Sequence, residues 1–244
     1  MLDLVDTEGR GLEIGPLHEP IATKDRHDVR YVDVFDTATL HRQYALDPNV
    51  DVADIVDVDF AIGTQSLSEA VMVDAPYDWV IASHVIEHTA DLIGWLGSLA
   101  DVMADRGQLF LAVPDRRYTF DALRPETTMG QLIDERGRTT PSLRAVYDHY
   151  RSMVSISTVE LWAGADPRLA PRVFSWDEVN ERCREAQSGV QMSTHVWVFS
   201  RDSFLEQIEE LRLLGLCDFT VEVAGPTLEN DCEFFVIMRR NPRQ

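Results

Sequence analysis

One stretch limits the fold of this chain more than any other: Leu109-Phe110-Leu111-Ala112-Val113, an unbroken apolar run that Pro114 halts. A strand without polar alternation is covered on both faces, which is the condition inside a parallel sheet. Parallel neighbours need a crossover between them, usually a helix. The residues just upstream supply one. Leu92, Trp95, Leu96, Leu99, Val102 and Met103 recur at helical spacing, and Arg106-Gly107 ends the run. Ahead of that helix, residues 78–83 read as a fourth strand. Residues 11–15 form a first strand ending on glycine, residues 29–33 a second ending on a carboxylate, and residues 54–58 a third. A helical segment with Leu40 and Tyr44 on one face fits between the second and the third. Strand and helix alternate, so the expected fold is α/β: a doubly wound, mostly parallel seven-stranded sheet with helices on both faces.

The rhythm breaks over residues 115–194, which hold Pro125, Pro141, Pro167 and Pro171, arginine-rich stretches and helical pieces at 143–153 and 176–186. It resumes at 195–199, a short strand or extended approach. Ser200 and Asp202 both suit the N-cap of a helix carrying Phe204, Leu205, Ile208, Leu211 and Leu214, which Gly215 ends. Residues 217–223 and 233–238 read as the last two strands. The expectation is a single domain over 1–244, with 115–194 a helical insertion after the fifth strand that caps the sheet.

Charge and composition remove several functions. Acidic residues outnumber basic ones 42 to 22, a formal net charge of −20. Such a surface repels nucleic acid and anionic lipid, and no basic patch offsets it. Lys24 is the only lysine, and no GxxxxGK[ST] phosphate loop is present. Cys183, Cys217 and Cys232 lie far apart, show no zinc spacing and suit a reducing compartment. Met1-Leu2-Asp3-Leu4-Val5-Asp6 lacks the basic and apolar runs of a signal peptide, and no stretch is apolar enough to span a bilayer. The expectation is a cytoplasmic protein that meets neither nucleic acid nor membrane.

Ligands of a doubly wound sheet sit at the carboxyl ends of its strands. The residues there are Gly15-Pro16, Asp33, Asp57 and Asp59, Ser83-His84, and Asp115. Glycine admits a ligand close to the backbone, a carboxylate after the second strand can accept both hydroxyls of a ribose, and an acid after the third can accept an adenine amine. Together they would hold an adenosine. The competing reading is that these are the solvated acids of an acidic protein.

Leu12-Glu13-Ile14-Gly15-Pro16, Tyr31-Val32-Asp33, the run from Tyr77 through Ser83-His84-Val85-Ile86-Glu87-His88, and Gly107 through Val113-Pro114-Asp115 resemble the class I S-adenosylmethionine-dependent methyltransferases, of the methyltransferase domain 11 kind. The resemblance covers residues 11–115, and residues 200–239 match that fold's last helix and antiparallel final strand. It implies S-adenosylmethionine as cofactor. It places Glu13, Gly15 and Pro16 on the first binding loop, Asp33 at the ribose, Asp59 or Asp57 beside the adenine, and Ser83 and His84 beside the transferable methyl. The family's loop carries two further glycines where this chain has Leu17 and Glu19.

An oxygen nucleophile must lose its proton, and histidine is the natural base near neutral pH. His84 and His149 are the catalytic candidates; His149 reads otherwise as a helix-surface residue beside Asp148. Asp115, Arg117, Tyr118 and His195 are candidates to line the acceptor pocket, whereas Trp162, Trp176 and Trp197 read as packing. The implied activity is methyl transfer to an oxygen or nitrogen of a small molecule, a sugar or secondary metabolite, by a chain that acts alone or as a homodimer. One alternative is a chain that keeps the fold, has lost the cofactor and serves as scaffold or partner subunit. Another is a zinc hydrolase, since His84-Val85-Ile86-Glu87-His88 spells H-x-x-E-H, which needs both histidines one helical turn apart and a third ligand downstream. No metal ligand set is assigned, and His88 is read as hydrogen-bonded near a helix start.

Overall fold

The computed structural model describes residues 4–190 and 192–242, so Met1–Asp3 of the amino-terminal reading lie outside the described residues. Its strands are β1 (Arg10–Ile14), β2 (Asp28–Asp33), β3 (Phe60–Ala61), β4 (Tyr77–Ser83), β5 (Met103–Pro114), β6 (Phe219–Ala224) and β7 (Glu233–Arg240). They form one sheet in the order β3-β2-β1-β4-β5-β7-β6. The first five run parallel, and β7 is antiparallel to both of its neighbours. The order reverses between β1 and β4, the switch point at whose carboxyl ends ligands of such sheets bind.

The helices are α1 (Thr37–Tyr44), α2 (Leu67–Val71), α3 (Leu92–Val102), α4 (Met129–Asp134), α5 (Leu143–Ser152), α6 (Thr158–Trp162), α7 (Trp176–Gln187) and α8 (Arg201–Leu213). Each starts on a Ser, Thr or Asp whose side chain accepts a first-turn N–H: Asp36, Ser66, Asp91, Thr128, Ser142, Ser157, Ser175 and Ser200. Those caps satisfy donors that a helix start otherwise leaves unpaired. No helix among the described residues is long and apolar enough to cross a membrane.

Two apolar clusters flank the sheet. On one face Leu12, Val80, Leu109, Leu111 and Val236 pack against Leu67 and Val71 of α2, Leu92, Leu96 and Leu99 of α3, and Phe204, Ile208 and Leu211 of α8. On the other face Tyr31, Trp79, Ile81, Phe110 and Ala112 meet Val5 and Ala22, with Ile21 and Val56 at the margin. Those four come from segments without regular structure, so this second cluster lacks the helical cover that the alternation predicts. Gly11 is required here: a Cβ on it would fall 2.0 Å from the buried Trp79 ring.

Several sequence boundaries shift, most of all at β5, which starts at Met103, a residue the spacing gave to the helix that ends at Val102. The third strand is Phe60–Ala61, not 54–58, because only Val32–Phe60 and Asp33–Ala61 pair at that edge. The sixth begins at Phe219 rather than 217. Residues 195–199 join no strand; Phe199 makes a single bridge to Asp115. That extended segment is nevertheless fastened across the strand ends, through Val196 N–H to Glu87 O at 2.7 Å, Arg116 N–H to Phe199 O at 2.8 Å and Thr127 N–H to Val198 O at 2.8 Å.

Candidate active site

Gly15 follows β1 with φ at +65°, a region that side chains with a Cβ disfavour. Its N–H donates to Val32 O at 2.8 Å, joining the first two strand ends. Pro16 opens a turn closed by Glu19 N–H to Pro16 O at 3.1 Å. Leu17 stands where the resembling family has glycine, yet its φ is +47°, so the backbone keeps a left-handed turn without one. Glu13 is buried, and its two oxygens accept from Ile21 N–H at 2.7 Å and Ala22 N–H at 2.9 Å. Burial pushes its carboxyl up to about 7 while the two amides pull the other way. Both oxygens are spent on the chain, so Glu13 shapes the loop rather than reaching a ligand.

Asp33 ends β2 half-buried, accepts from Phe35 N–H at 3.2 Å and has a carboxyl raised by burial. Asp57 and Asp59 both precede β3, which removes them from a strand end. Asp57 is exposed. Asp59 pairs with Lys24 Nζ at 2.7 Å and accepts from Tyr31 N–H at 2.7 Å, securing the sheet edge. Past β3, the residues beside Asp33 are Ile62, whose N–H donates to Asp33 O at 2.8 Å, and Gly63 with φ at +58°.

Ser83 closes β4 and pairs with Ala112. His84 follows with φ at +52°. Its Nε2 lies 2.6 Å from Glu233 Oε2 and its Nδ1 3.5 Å from Glu87 Oε1. Burial works to lower its pKa, and the carboxylates of Glu233 and Glu87 outweigh it, raising the imidazole to about 10. A ring that stays protonated at neutral pH has no lone pair, so the catalytic-base reading of His84 fails.

The next residues form a 3-10 turn over Ile86–His88 rather than a helix start. His84 and His88 therefore do not stand one helical turn apart, and the H-x-x-E-H hydrolase geometry is not formed. Glu87 is 2% exposed, and neither of its oxygens has a hydrogen-bond partner. His88 is exposed, its ring edge-on to His195 at 4.8 Å between centroids.

His195 is buried, with Nδ1 2.6 Å from Asp121 Oδ2. Asp121 also pairs with Arg124 at 3.0 Å. Burial raises the Asp121 carboxyl, but the hydrogen bond and charge of His195 together with Arg124 win and hold it at about 2. His149 is buried rather than on a helix surface, and its Nδ1 accepts from His195 N–H at 3.3 Å. Burial and the charge of His195 push it down to about 3. It is neutral with its lone pair engaged, which makes it a poor base at pH 7 and removes the second catalytic candidate.

Asp115 is fully buried and accepts from Arg117 Nη2 at 2.6 Å and Thr227 Oγ1 at 2.7 Å. It braces the end of β5 and is closed to an acceptor, contrary to the pocket-lining expectation. Arg117 is half-exposed but tied to Asp115. Tyr118 stacks flat on Trp162 at 3.9 Å. Sequence reasoning passed over Asp121 and Glu233, which carry no local motif, and used Glu87 only inside H-x-x-E-H. The cleft at the amino-terminal ends of β4 and β5, lined by Asp6, Asp78, Arg106 and Arg239, holds none of these residues.

A family model described as a methyltransferase domain matches residues 5–211. No curated protein matches in sequence. Among solved structures, mitomycin 7-O-methyltransferase MmcR is 12% identical with a TM-score of 0.43; the match covers 98% of this chain but only half of MmcR. A Rhodobacter sphaeroides protein named as a candidate Zn-dependent alcohol dehydrogenase is 14% identical over 99% of this chain and 88% of its own, with a TM-score of 0.52, a likeness of fold alone. An S-adenosylmethionine-dependent methyltransferase from Mesorhizobium loti is 14% identical over 98% of this chain and 94% of its own, TM-score 0.47. The strand ends fit that cofactor: Asp33 keeps acceptor capacity for a ribose diol, and only the side chain of Val85, at 3.4 Å, comes near the place of a Cβ on Gly15.

Proposed function

Because the chain belongs to the class I S-adenosylmethionine-dependent methyltransferases, with the family model matching residues 5–211, we propose that it methylates an oxygen of a small, hydroxyl-bearing molecule. The observation that carries the proposal is the roof of residues 195–199 over the ends of β4 and β5, held by Val196 N–H to Glu87 O at 2.7 Å. Strand ends covered by a fastened segment suit a small molecule better than a polymer. Its polar side chains, Glu87, His88 and His195, suit a hydroxyl better than an apolar acceptor.

When bound, S-adenosylmethionine supplies a methyl carbon activated by positively charged sulfur. The chain's task is placement, since transfer is an in-line displacement that depends on orientation. Asp33 would hold the ribose hydroxyls through its carboxylate. Gly15 lets the methionine part lie against backbone. Val85 lies beside the Gly15 turn, its side chain 3.4 Å from where a Cβ on Gly15 would stand, and leads into the Ile86–His88 turn, so cofactor and acceptor ends adjoin. The acceptor hydroxyl must lose its proton at the Glu87, His88 and His195 end.

The test is transfer of isotope-labelled methyl to a panel of sugars, phenols, amines, peptides and nucleic acids. Label entering hydroxylated small molecules is expected. Label entering only peptide or nucleic acid would overturn the proposal.

A further inference from the structure

We propose that Glu87, His88 and His195 form a binding site for one divalent transition-metal ion. The ion's use in activating an acceptor hydroxyl rests on the reading above; its binding does not.

The first observation is Glu87 itself. A carboxylate 2% exposed, with no hydrogen bond to either oxygen, is costly to bury. Its nearest nitrogen neighbours are His84 Nδ1 at 3.5 Å, which offsets part of its charge, and the His88 imidazole Nε2 at 3.9 Å, which burial shifts towards the neutral form. The second is the grouping: one donor atom from each of Glu87, His88 and His195 lies within 4.8 Å of the others. Ligands of a tetrahedral ion with bonds of about 2.0 Å stand roughly 3.3 Å apart, so small side-chain movements close the set.

The third is the way His195 is held. Asp121 takes its Nδ1 at 2.6 Å, which leaves Nε2 as the coordinating atom. A carboxylate behind a histidine is the usual support of a metal-bound imidazole. Arg124 Nη1 donates to His195 O at 2.7 Å, and His149 receives its N–H, so the backbone is fixed as well. The alternative trio of Asp121, His149 and His195 also brings donor atoms together. There Asp121 is already satisfied by His195 and Arg124, and no donor is orphaned. That trio is the support of the site and not the site.

Two imidazoles and one carboxylate suit zinc-like ions, whereas magnesium and calcium prefer oxygen sets. Glu87 and His195 are buried while His88 is exposed, which leaves the ion one open side. Open three-ligand sites are those that take up a substrate oxygen.

Metal-free protein, stripped with chelator and confirmed folded by circular dichroism, is titrated with Zn²⁺ by calorimetry and with Co²⁺ by visible absorption. One ion per chain is expected, with a Kd below about 1 μM and cobalt ligand-field bands. Glu87→Gln and His88→Ala should each weaken Zn²⁺ at least tenfold. His88 is exposed, so its removal leaves the core intact even where the Glu87 variant unfolds. No uptake, or uptake weaker than about 100 μM and equal in both variants, would overturn the proposal. S-adenosylhomocysteine titrated into the same preparations separates the two readings. Cofactor binding without zinc removes this site alone, and zinc binding without methyl transfer keeps the site and removes the acceptor reading.

Discussion

His84 Nε2 and Glu233 Oε2 stand 2.6 Å apart, so the residue after β4 reaches over the end of β5 to the first residue of β7. With the Glu87 carboxylate 3.5 Å from its other nitrogen, the ring sits between two acids that favour its protonated form. In metal-free protein, His84 should stay protonated through neutral pH and titrate near 10. Because the folded value lies above the ordinary 6.5, the pair's stabilisation is complete below pH 6.5 and lost as pH rises towards 10. Glu233→Gln should bring the ring's titration back towards 6.5. Imidazole NMR shifts across pH check this, and an unchanged titration in the variant would refute the pairing.

Asp115 should prove structural. It is fully buried, with Arg117 and Thr227 on its carboxylate, so Asp115→Ala leaves polar groups without a partner. A loss on the order of 3 kcal/mol is expected in urea unfolding. A variant of parental stability with weakened acceptor binding would restore the pocket-lining role.

Glu13 makes the fold more stable in mild acid. Its carboxyl titrates near 7 when folded against 4.5 unfolded, so between those values only the unfolded chain is ionised. Stability therefore falls as pH rises from 4.5 to 7, on the order of 3 kcal/mol from this residue. Glu13→Gln should flatten that slope. Parallel slopes for variant and parent across this window would show that Glu13 is ionised in the folded state.

Several elements were legible because their signal is local. The unbroken 109–113 run, the helical spacing from Leu92 to Val102 and the glycine after Ile14 each report the structure they form, whereas Met103, in step with the helix, opens β5. The third strand was not legible, since its two residues owe their state to pairing with Val32 and Asp33 rather than to any pattern of their own. The acids the sequence singled out stand before that strand, and Ile62 and Gly63 follow its carboxyl end. Leu17 made the first loop look altered, although its backbone turns left-handed as a glycine would. Proximity across the chain was the hardest to see. His195 meets Asp121 across 74 positions, and Trp197 meets Thr89 across 108. No spacing rule encodes such meetings; the roof segment creates them.

The most direct test of the account is calorimetric titration of the parent protein and Asp33→Ala with S-adenosylhomocysteine. The parent should bind in the micromolar range, and the variant should lose about tenfold or more with the charge-assisted hydrogen bonds to the ribose. No heat with the parent would contradict a working cofactor site, and equal affinity in the variant would take the ribose away from Asp33.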